Sequence, residues 1–256
     1  MAHYLTVAEA IPMRGLRLVL TRGVPGPWGE AAKAILHVKK IPYVKVAQVA
    51  GENDAELIRW TGAANAPTAI YEDERPRSER HAILFLAERL APNPPLLPSD
   101  PEQRALCLGL ANEVAGELGF GWCRRLMLLR ADDAAPQQLK KLVSELSGRY
   151  GSPDFPPARA AERCAEIMRS LAKRLHEQRA RGSDYLLGDT LTVADLYWAT
   201  FAVMLKPLPE AQCPMPPGQR EMYTARDPVL TAALDPVLLA HRDLVYERQL
   251  ELPVDC

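Results

Sequence analysis

The chain has 256 residues and a mass of 28.3 kDa, room for two compact domains or one large one. Its 31 basic and 32 acidic residues leave a formal net charge of -1, and no long basic run marks a phosphate-tracking face, so nothing points to nucleic acid as a partner. The five cysteines (Cys107, Cys123, Cys164, Cys213 and Cys256) are scattered, odd in number and form no CxxC pair, which argues against a disulfide framework and against a zinc site. With no signal peptide and no apolar run of membrane-spanning length, the expected setting is a reducing cytoplasm with no membrane association and no metal.

Residues 1–15 show no strong pattern and read as a short N-terminal lead. Residues 16–20 (LRLVL) form an apolar run with one charge, a plausible buried strand. The turn 22–27 is dense in glycine and proline, and Pro27 suits the first turn of a helix, where its missing N–H would be unbonded anyway. Residues 28–39 carry an apolar stripe (Ala31, Ala32, Ala34, Ile35, Leu36, Val38) and read as that helix. Residues 43–49 (YVKVAQV) alternate as a strand should. Strand, helix and strand at this spacing imply a parallel pair with a right-handed crossover. A polar segment, 51–60, and a loop, 61–65, lead to Ala66-Pro67. Proline at a strand's first residue is allowed and its peptide bond can be cis, so 66–71 reads as another strand. Residues 78–90 are helical again.

The stretch 91–101 (APNPPLLPSDP) is a proline-rich linker, and it separates a domain at 16–92 from helices beyond 100. Helices are expected over about 101–131, 136–150, 156–181, 192–205 and 227–249, with a proline-dense loop at 206–226. One of them organises the rest. Thr192 stands three residues before Asp195 at the head of an apolar run, a capping-box pattern in which carboxylate and backbone satisfy each other. From 193 to 205 the only charge is Asp195, so this helix has no face for water and reads as buried.

The wording around it resembles a known signature. Leu186-Leu187-Gly188-Asp189 followed by Leu191-Thr192-Val193-Ala194-Asp195 is similar to the folding motif of the glutathione transferase superfamily. Three more blocks resemble the same family: Gly26-Pro27-Trp28-Gly29 running to Ile41-Pro42-Tyr43, the pair Ala66-Pro67, and Glu79-Arg80-His81-Ala82-Ile83 running to Leu90. The likeness spans roughly 16–205. It implies an α/β thioredoxin-like N-terminal domain followed by an all-α helical-bundle domain over 101–256, with 93–100 as the linker. It also implies a homodimer and a detoxifying transferase that uses glutathione as co-substrate.

What the resemblance implies for the site can be set beside what the residues offer. Ala66, before Pro67, would pair its backbone with the tripeptide as a sheet edge pairs with a strand. Glu79 would take the γ-glutamyl amino group, and the N–H groups opening its helix would take the neighbouring carboxylate. Taken alone, Glu79 reads more readily as a solvated acid at a helix N-terminus; its position within the matched block brings the binding role level with that. Two positions depart from the family. Arg80 stands where a serine is usual; it can bind a carboxylate or block the pocket. Gly26 stands where serine or cysteine would meet the sulfur, and Thr21 and Arg22 lie where a tyrosine would come. What remains at Gly26 is the helix N-terminus, whose backbone N–H groups lower a thiol pKa without a side chain. Trp28, Trp122 and Met127 would line the pocket for a small hydrophobic electrophile. Each of them also suits an ordinary core, and Arg124-Arg125 reads as a solvated pair of which one could face an acidic substrate.

The expected activity is conjugation of glutathione thiolate to that electrophile. Two alternatives stay open: a non-catalytic binding or scaffold protein of the same fold, and a specialised glutathione-dependent ether-cleaving or dehalogenating enzyme.

Overall fold

A computed structural model describes residues 3–128, 137, 144, 155–216 and 218–255. The chain divides into two compact units, Met1–Leu96 with Leu208–Pro217 and Tyr246–Cys256, and Leu97–Pro207 with Gly218–Val245.

The first unit is built on a four-stranded sheet. Its elements run β1 (Tyr4–Leu5), α1 (Val7–Ala10), β2 (Leu16–Thr21), α2 (Pro27–Val38), β3 (Tyr43–Gln48), α3 (Ala55–Thr61), β4 (Thr68–Tyr71) and α4 (Arg80–Leu90). The strand order is β1-β3-β2-β4. β2 and β3 pair in parallel from Leu16↔Tyr43 to Thr21↔Gln48, as the strand–helix–strand spacing requires, and β4 runs antiparallel to β2. The N-terminal lead is ordered here: β1 joins the sheet beside β3, and α1 is closed by a capping box between Thr6 and Glu9. Alternation along β2 splits the core. Val19 joins Val46, Ile70 and Leu57 on one face, with α1 and α3. Leu20 lies against Gly29 of α2 on the other, where α2 also packs on α4. The one charge in β2 is buried: Arg17 donates to the carbonyls of Met13 and Glu72 and stacks over Trp60 at 5.7 Å.

Two long-range clasps finish this unit. Lys39, just past α2, buries its ammonium against Glu88 at 3.0 Å and donates to the carbonyls of Ala91 and Pro94. Near the other end of the chain, Asp255 accepts from Lys33 through its carbonyl and from Lys45 through its carboxylate. The Val254 N–H bonds the carbonyl of Gln212 at 2.7 Å.

The second unit is helical: α5 (Pro101–Ala115), α6 (Phe120–Leu128), α7 (Pro157–Ala180), α8 (Val193–Phe201), a 3-10 turn at Ala202–Met204, α9 (Gln219–Tyr223), α10 (Pro228–Ala233) and α11 (Pro236–Gln249). All nine residues of α8 are buried. The expected capping box forms, with the Thr192 N–H and hydroxyl both donating to Asp195 Oδ2 at 2.8 Å. α8 packs on α5, and α7 packs on α6 and α10. Three boundaries differ from the sequence reading. The expected helix 101–131 breaks between Ala115 and Phe120, where Leu118 takes φ +55°, and its end at 131 lies outside the described residues. The expected helix 136–150 lies outside them too, apart from 137 and 144. The closing helix 227–249 is two helices, interrupted at Leu234-Asp235 before Pro236, and the loop 206–226 contains α9.

Candidate functional site

The register of the sheet brings the expected glutathione-binding residues to one edge. β4 runs antiparallel to β2 with Val19 opposite Thr68, so Ala66-Pro67 before β4 and Thr21 at the end of β2 lie toward the same end of the sheet. The Ala66-Pro67 bond is cis, and Ala66 lies outside the β4 ladder with its backbone half-buried. Beyond β4 the chain turns back. Ala69 and Arg77 exchange both backbone hydrogen bonds, at 2.8 and 2.9 Å, in an antiparallel bridge. Past that bridge the chain heads back toward the Pro67 end of β4. From the end of β2 the turn 22–26 delivers the start of α2 to the same edge, with Arg22 N–H bonded to the Gln48 carbonyl at 3.0 Å.

Two helices begin at this edge, and neither is capped by a side chain. Gly26 is the N-cap of α2 and Glu79 that of α4; both are extended in backbone and neither side chain bonds the first turn. The other two helices of the unit are capped, α1 by Thr6 and α3 by Asp54. The edge therefore presents two positive helix ends to whatever binds there. Glu79 is exposed and has no partner among the described residues, so its carboxylate is available to an ammonium. Arg80 is half-buried directly behind it. Burial holds the His81 imidazole below its ordinary pKa, and the Arg80 charge pushes the same way.

Thr21 is placed differently from what a sulfur contact needs. Its hydroxyl donates to Gln48 Oε1 at 2.8 Å, and Gln48 Nε2 in turn donates to the carbonyls of Val49 and Ala64. The Thr21 proton is thus committed to a network that ties β2, β3 and the loop before Pro67 together. Gln48 is the residue that sequence reasoning missed. It was visible as a polar residue closing the alternating run 43–49, but its partners follow only from the strand register. Arg22 is exposed in the turn, with no side-chain partner among the described residues. Gly26 has no atom of the described residues within 4 Å of a built Cβ, so the space beside it is open.

Of the residues expected to hold a hydrophobic electrophile, Trp28 belongs to the first unit and Trp122 and Met127 to the second. Trp28 is half-buried on α2 in the first unit. Trp122 is buried in the second, edge-on to Phe155 at 5.9 Å, and serves the core there. Met127 is half-buried and lines a cleft of the helical unit together with Leu128 and Met222. Arg124 is not solvated as its sequence neighbourhood suggested: it is 5 % exposed and opens onto that cleft. Among the described residues no group of three or more His, Cys, Asp or Glu side chains is spaced to hold a metal ion, and no helix is long and apolar enough to cross a membrane.

Comparison with known proteins finds likeness in sequence over one domain and in fold over most of the chain. Residues 140–215 match the family model for the glutathione S-transferase C-terminal domain. No curated protein matches the chain in sequence. Solved structures match its fold over nearly the whole length. A glutathione S-transferase domain-containing protein from Marinobacter aquaeolei is 18% identical with a TM-score of 0.63, covering 91% of this chain and 98% of that one. A rice GST in complex with glutathione is 19% identical with a TM-score of 0.60, covering 94% and 93%. The beta-etherase LigF from a Sphingobium species is 18% identical with a TM-score of 0.58, covering 90% and 99%. Residues 140–215 thus match the glutathione S-transferase C-terminal domain, and the chain has the fold of the glutathione transferases, with a thioredoxin-like α/β unit and a helical unit.

Proposed function

We propose that the first unit binds glutathione and that the protein conjugates its thiolate to a small apolar electrophile. The observation that carries this reading is the pair of uncapped helix ends, α2 at Gly26 and α4 at Glu79, at the same sheet edge as the backbone of Ala66. Glutathione carries one ammonium, two carboxylates and a thiol. In this reading Glu79 takes the ammonium, the α4 end with Arg80 takes the adjacent carboxylate, and Ala66 pairs with the cysteinyl backbone. The sulfur then meets the N-terminus of α2. Its unsatisfied N–H groups and dipole favour thiolate over thiol, and Arg22 adds positive charge nearby. The thiolate attacks the electrophilic carbon, the leaving group departs with the bonding pair, and the protein contributes orientation and electrostatic stabilisation.

A second reading is a binding protein without catalysis. It is favoured by Gly26 and by Thr21, since the one bears no hydroxyl or thiol and the other gives its proton to Gln48. Calorimetric titration with glutathione, followed by a conjugation assay on an activated aryl halide, separates the two. Binding tighter than millimolar with turnover supports the transferase; the same binding without turnover supports the second reading. Glu79→Gln is expected to weaken glutathione by roughly 1.5–3 kcal/mol, the size of a hydrogen bond to a charged group, with unchanged unfolding. Wild-type affinity in that variant removes Glu79 from the site.

A further inference from the structure

Where α6 packs on α7 in the helical unit, two of the chain's five cysteines meet. Cys123 of α6 and Cys164 of α7 are both free and fully buried, and their thiols hydrogen-bond to each other. Each sulfur also sits against a carbonyl near the head of α6. Cys123 Sγ lies 3.6 Å from the Leu118 oxygen, and Cys164 Sγ lies 3.5 Å from that of Phe120.

The two sulfurs are not equivalent. Cys123 lies beneath the turn between α5 and α6, whose Leu118 is 43 % exposed. Its other cover is Arg163, which donates to the same Leu118 carbonyl at 3.3 Å and pairs with Glu113 at 2.5 Å, both side chains being partly exposed. One thin layer therefore separates Cys123 from solvent. Cys164 is set deeper, with its sulfur and the Phe120 carbonyl both enclosed. The hydrogen bond from Cys164, helped by the Arg163 charge, holds the Cys123 thiol below its ordinary pKa. The same bond, together with burial, pushes the Cys164 thiol up. The shallow sulfur is thus the one that ionises, and the deep one keeps a proton to share with it. Cysteines packed only as small apolar groups need neither that shared proton nor a flanking cation.

We propose that Cys123 and Cys164 form an oxidation site, a dithiol that hydrogen peroxide closes into a disulfide linking α6 to α7. The Cys123 thiolate attacks one peroxide oxygen, the O–O bond breaks, and the departing oxygen takes up a proton and leaves as water. Cys123 is then a sulfenic acid. The Cys164 sulfur, giving up its proton, attacks the Cys123 sulfur; the S–O bond breaks and a second water leaves. In all, two thiols lose two electrons and the peroxide gains them. The bond closes the chain into a loop from 123 to 164, and a cross-link of that span restrains the unfolded chain, so the oxidised protein is the more stable form. Both cysteines belong to the helical unit, so the proposal holds whether or not the first unit binds glutathione.

The test uses the full-length protein, fully reduced, freed of reductant and treated with a few equivalents of hydrogen peroxide without denaturant. The thiol count, read afterwards in denaturant, should fall by two from five. Intact mass should drop by about 2 Da, the two hydrogens lost in a disulfide. Non-reducing digestion should give one cross-linked pair of peptides, carrying Cys123 and Cys164. The thermal midpoint should rise by roughly 5–15 °C and fall back on adding dithiothreitol. In Cys164→Ala, Cys123 should stop at the sulfenic acid and take up one dimedone; in Cys123→Ala, Cys164 should stay unlabelled. The peptide map is read on wild type, so it decides the matter even where a variant folds poorly. Retention of all five thiols, cross-links through other cysteines in place of this pair, or a bond that forms only in urea would overturn the proposal.

Discussion

Asp195 Oδ1 stands 3.1 Å from His241 Nε2, with neither side chain reaching solvent. The same carboxylate accepts the N–H of Leu186 at 2.7 Å and, through Oδ2, the N–H and hydroxyl of Thr192 at 2.8 Å. What looks in sequence like a local helix cap is therefore a buried hub joining the loop before α8, the helix itself and α11. A cap residue alone contributes about 1 kcal/mol, but removing a buried charge that satisfies several donors strands all of them. Asp195→Ala is expected to cost roughly 3–5 kcal/mol, and Thr192→Ala only about 1–2, since Leu186 keeps its partner and His241 its neighbouring carboxylate. Urea unfolding of the two variants checks this; similar losses would mean that the carboxylate acts as a cap and nothing more.

Gly121 offers a second test in the same unit. A Cβ on Gly121 would lie 2.2 Å from Cε1 of Phe201, and Phe201 is fully buried on α8. An aromatic ring in a packed core has little room to retreat. Gly121→Ala should therefore destabilise by about 1–3 kcal/mol despite alanine's better helix propensity, which alone would stabilise by about 1. A thermal midpoint at or above wild type would show that α6 and α8 do not approach this closely.

The third prediction turns on pH. Glu30 of α2 is nearly buried beside Lys33 at 2.9 Å, and Lys33 also holds the Asp255 carbonyl. Burial pushes the Glu30 carboxyl above its ordinary pKa, and the Lys33 charge offsets only part of that. A carboxyl whose pKa is higher folded than unfolded binds its proton more tightly in the native state. Its stabilising contribution is complete below the ordinary value of 4.5 and is lost as pH rises through the raised one. Glu30→Gln removes this dependence while keeping a neutral polar group of the same shape. The variant should gain stability relative to wild type on going from pH 4.5 toward neutrality. Denaturant unfolding across that range decides it: a difference that stays flat, or grows in favour of wild type, contradicts the assignment.

Features carried by a few neighbouring residues were legible in the sequence, and features carried by register or by distant partners were not. The Thr192 box and Pro27 at the first turn of α2 follow from local chemistry, the cis Ala66-Pro67 bond is one that local chemistry allows and the family resemblance implies, and each is present. The Thr6–Glu9 box was equally local, but it caps a helix of four residues, too short to show periodicity. The break between α5 and α6 was hidden because apolar spacing continues across it. Its causes are Leu118 in a left-handed conformation and close backbone approaches at Gly116 and Gly119. At the candidate site, Glu79 could be named from its block, whereas the antiparallel bridge Ala69↔Arg77 that precedes it follows only from the fold. Arg124 looked like one of a solvated pair because nothing nearby in sequence shows that the carbonyls of Met204 and Tyr223 close over it.

The last prediction concerns which sulfur does the chemistry. Cysteine at the start of a helix is kept as thiolate by the dipole, and such a thiolate exchanges with disulfides. Here Gly26 holds that position, and the first cysteine of the chain is Cys107. Cys107, Cys123, Cys164 and Cys213 are all buried, and burial pushes the Cys107 thiol up from its ordinary pKa. If the protein conjugates glutathione, the tripeptide's sulfur is then the nucleophile, and alkylating accessible protein thiols should leave turnover largely intact. Gly26 can be replaced without strain: its φ is -69° and nothing lies within 4 Å of a built Cβ. Gly26→Cys should fold as wild type and add one rapidly alkylated thiol with a pKa depressed by one unit or more, about 1.4 kcal/mol of preference for thiolate. With oxidised glutathione it should form a mixed disulfide, seen as a mass increase of one glutathionyl group. A new thiol that reacts no faster than free cysteine would show that the α2 N-terminus does not stabilise negative sulfur. Efficient reduction of mixed disulfides by the wild-type protein, lost on replacing one native cysteine, would move the chemistry to that cysteine and away from Gly26.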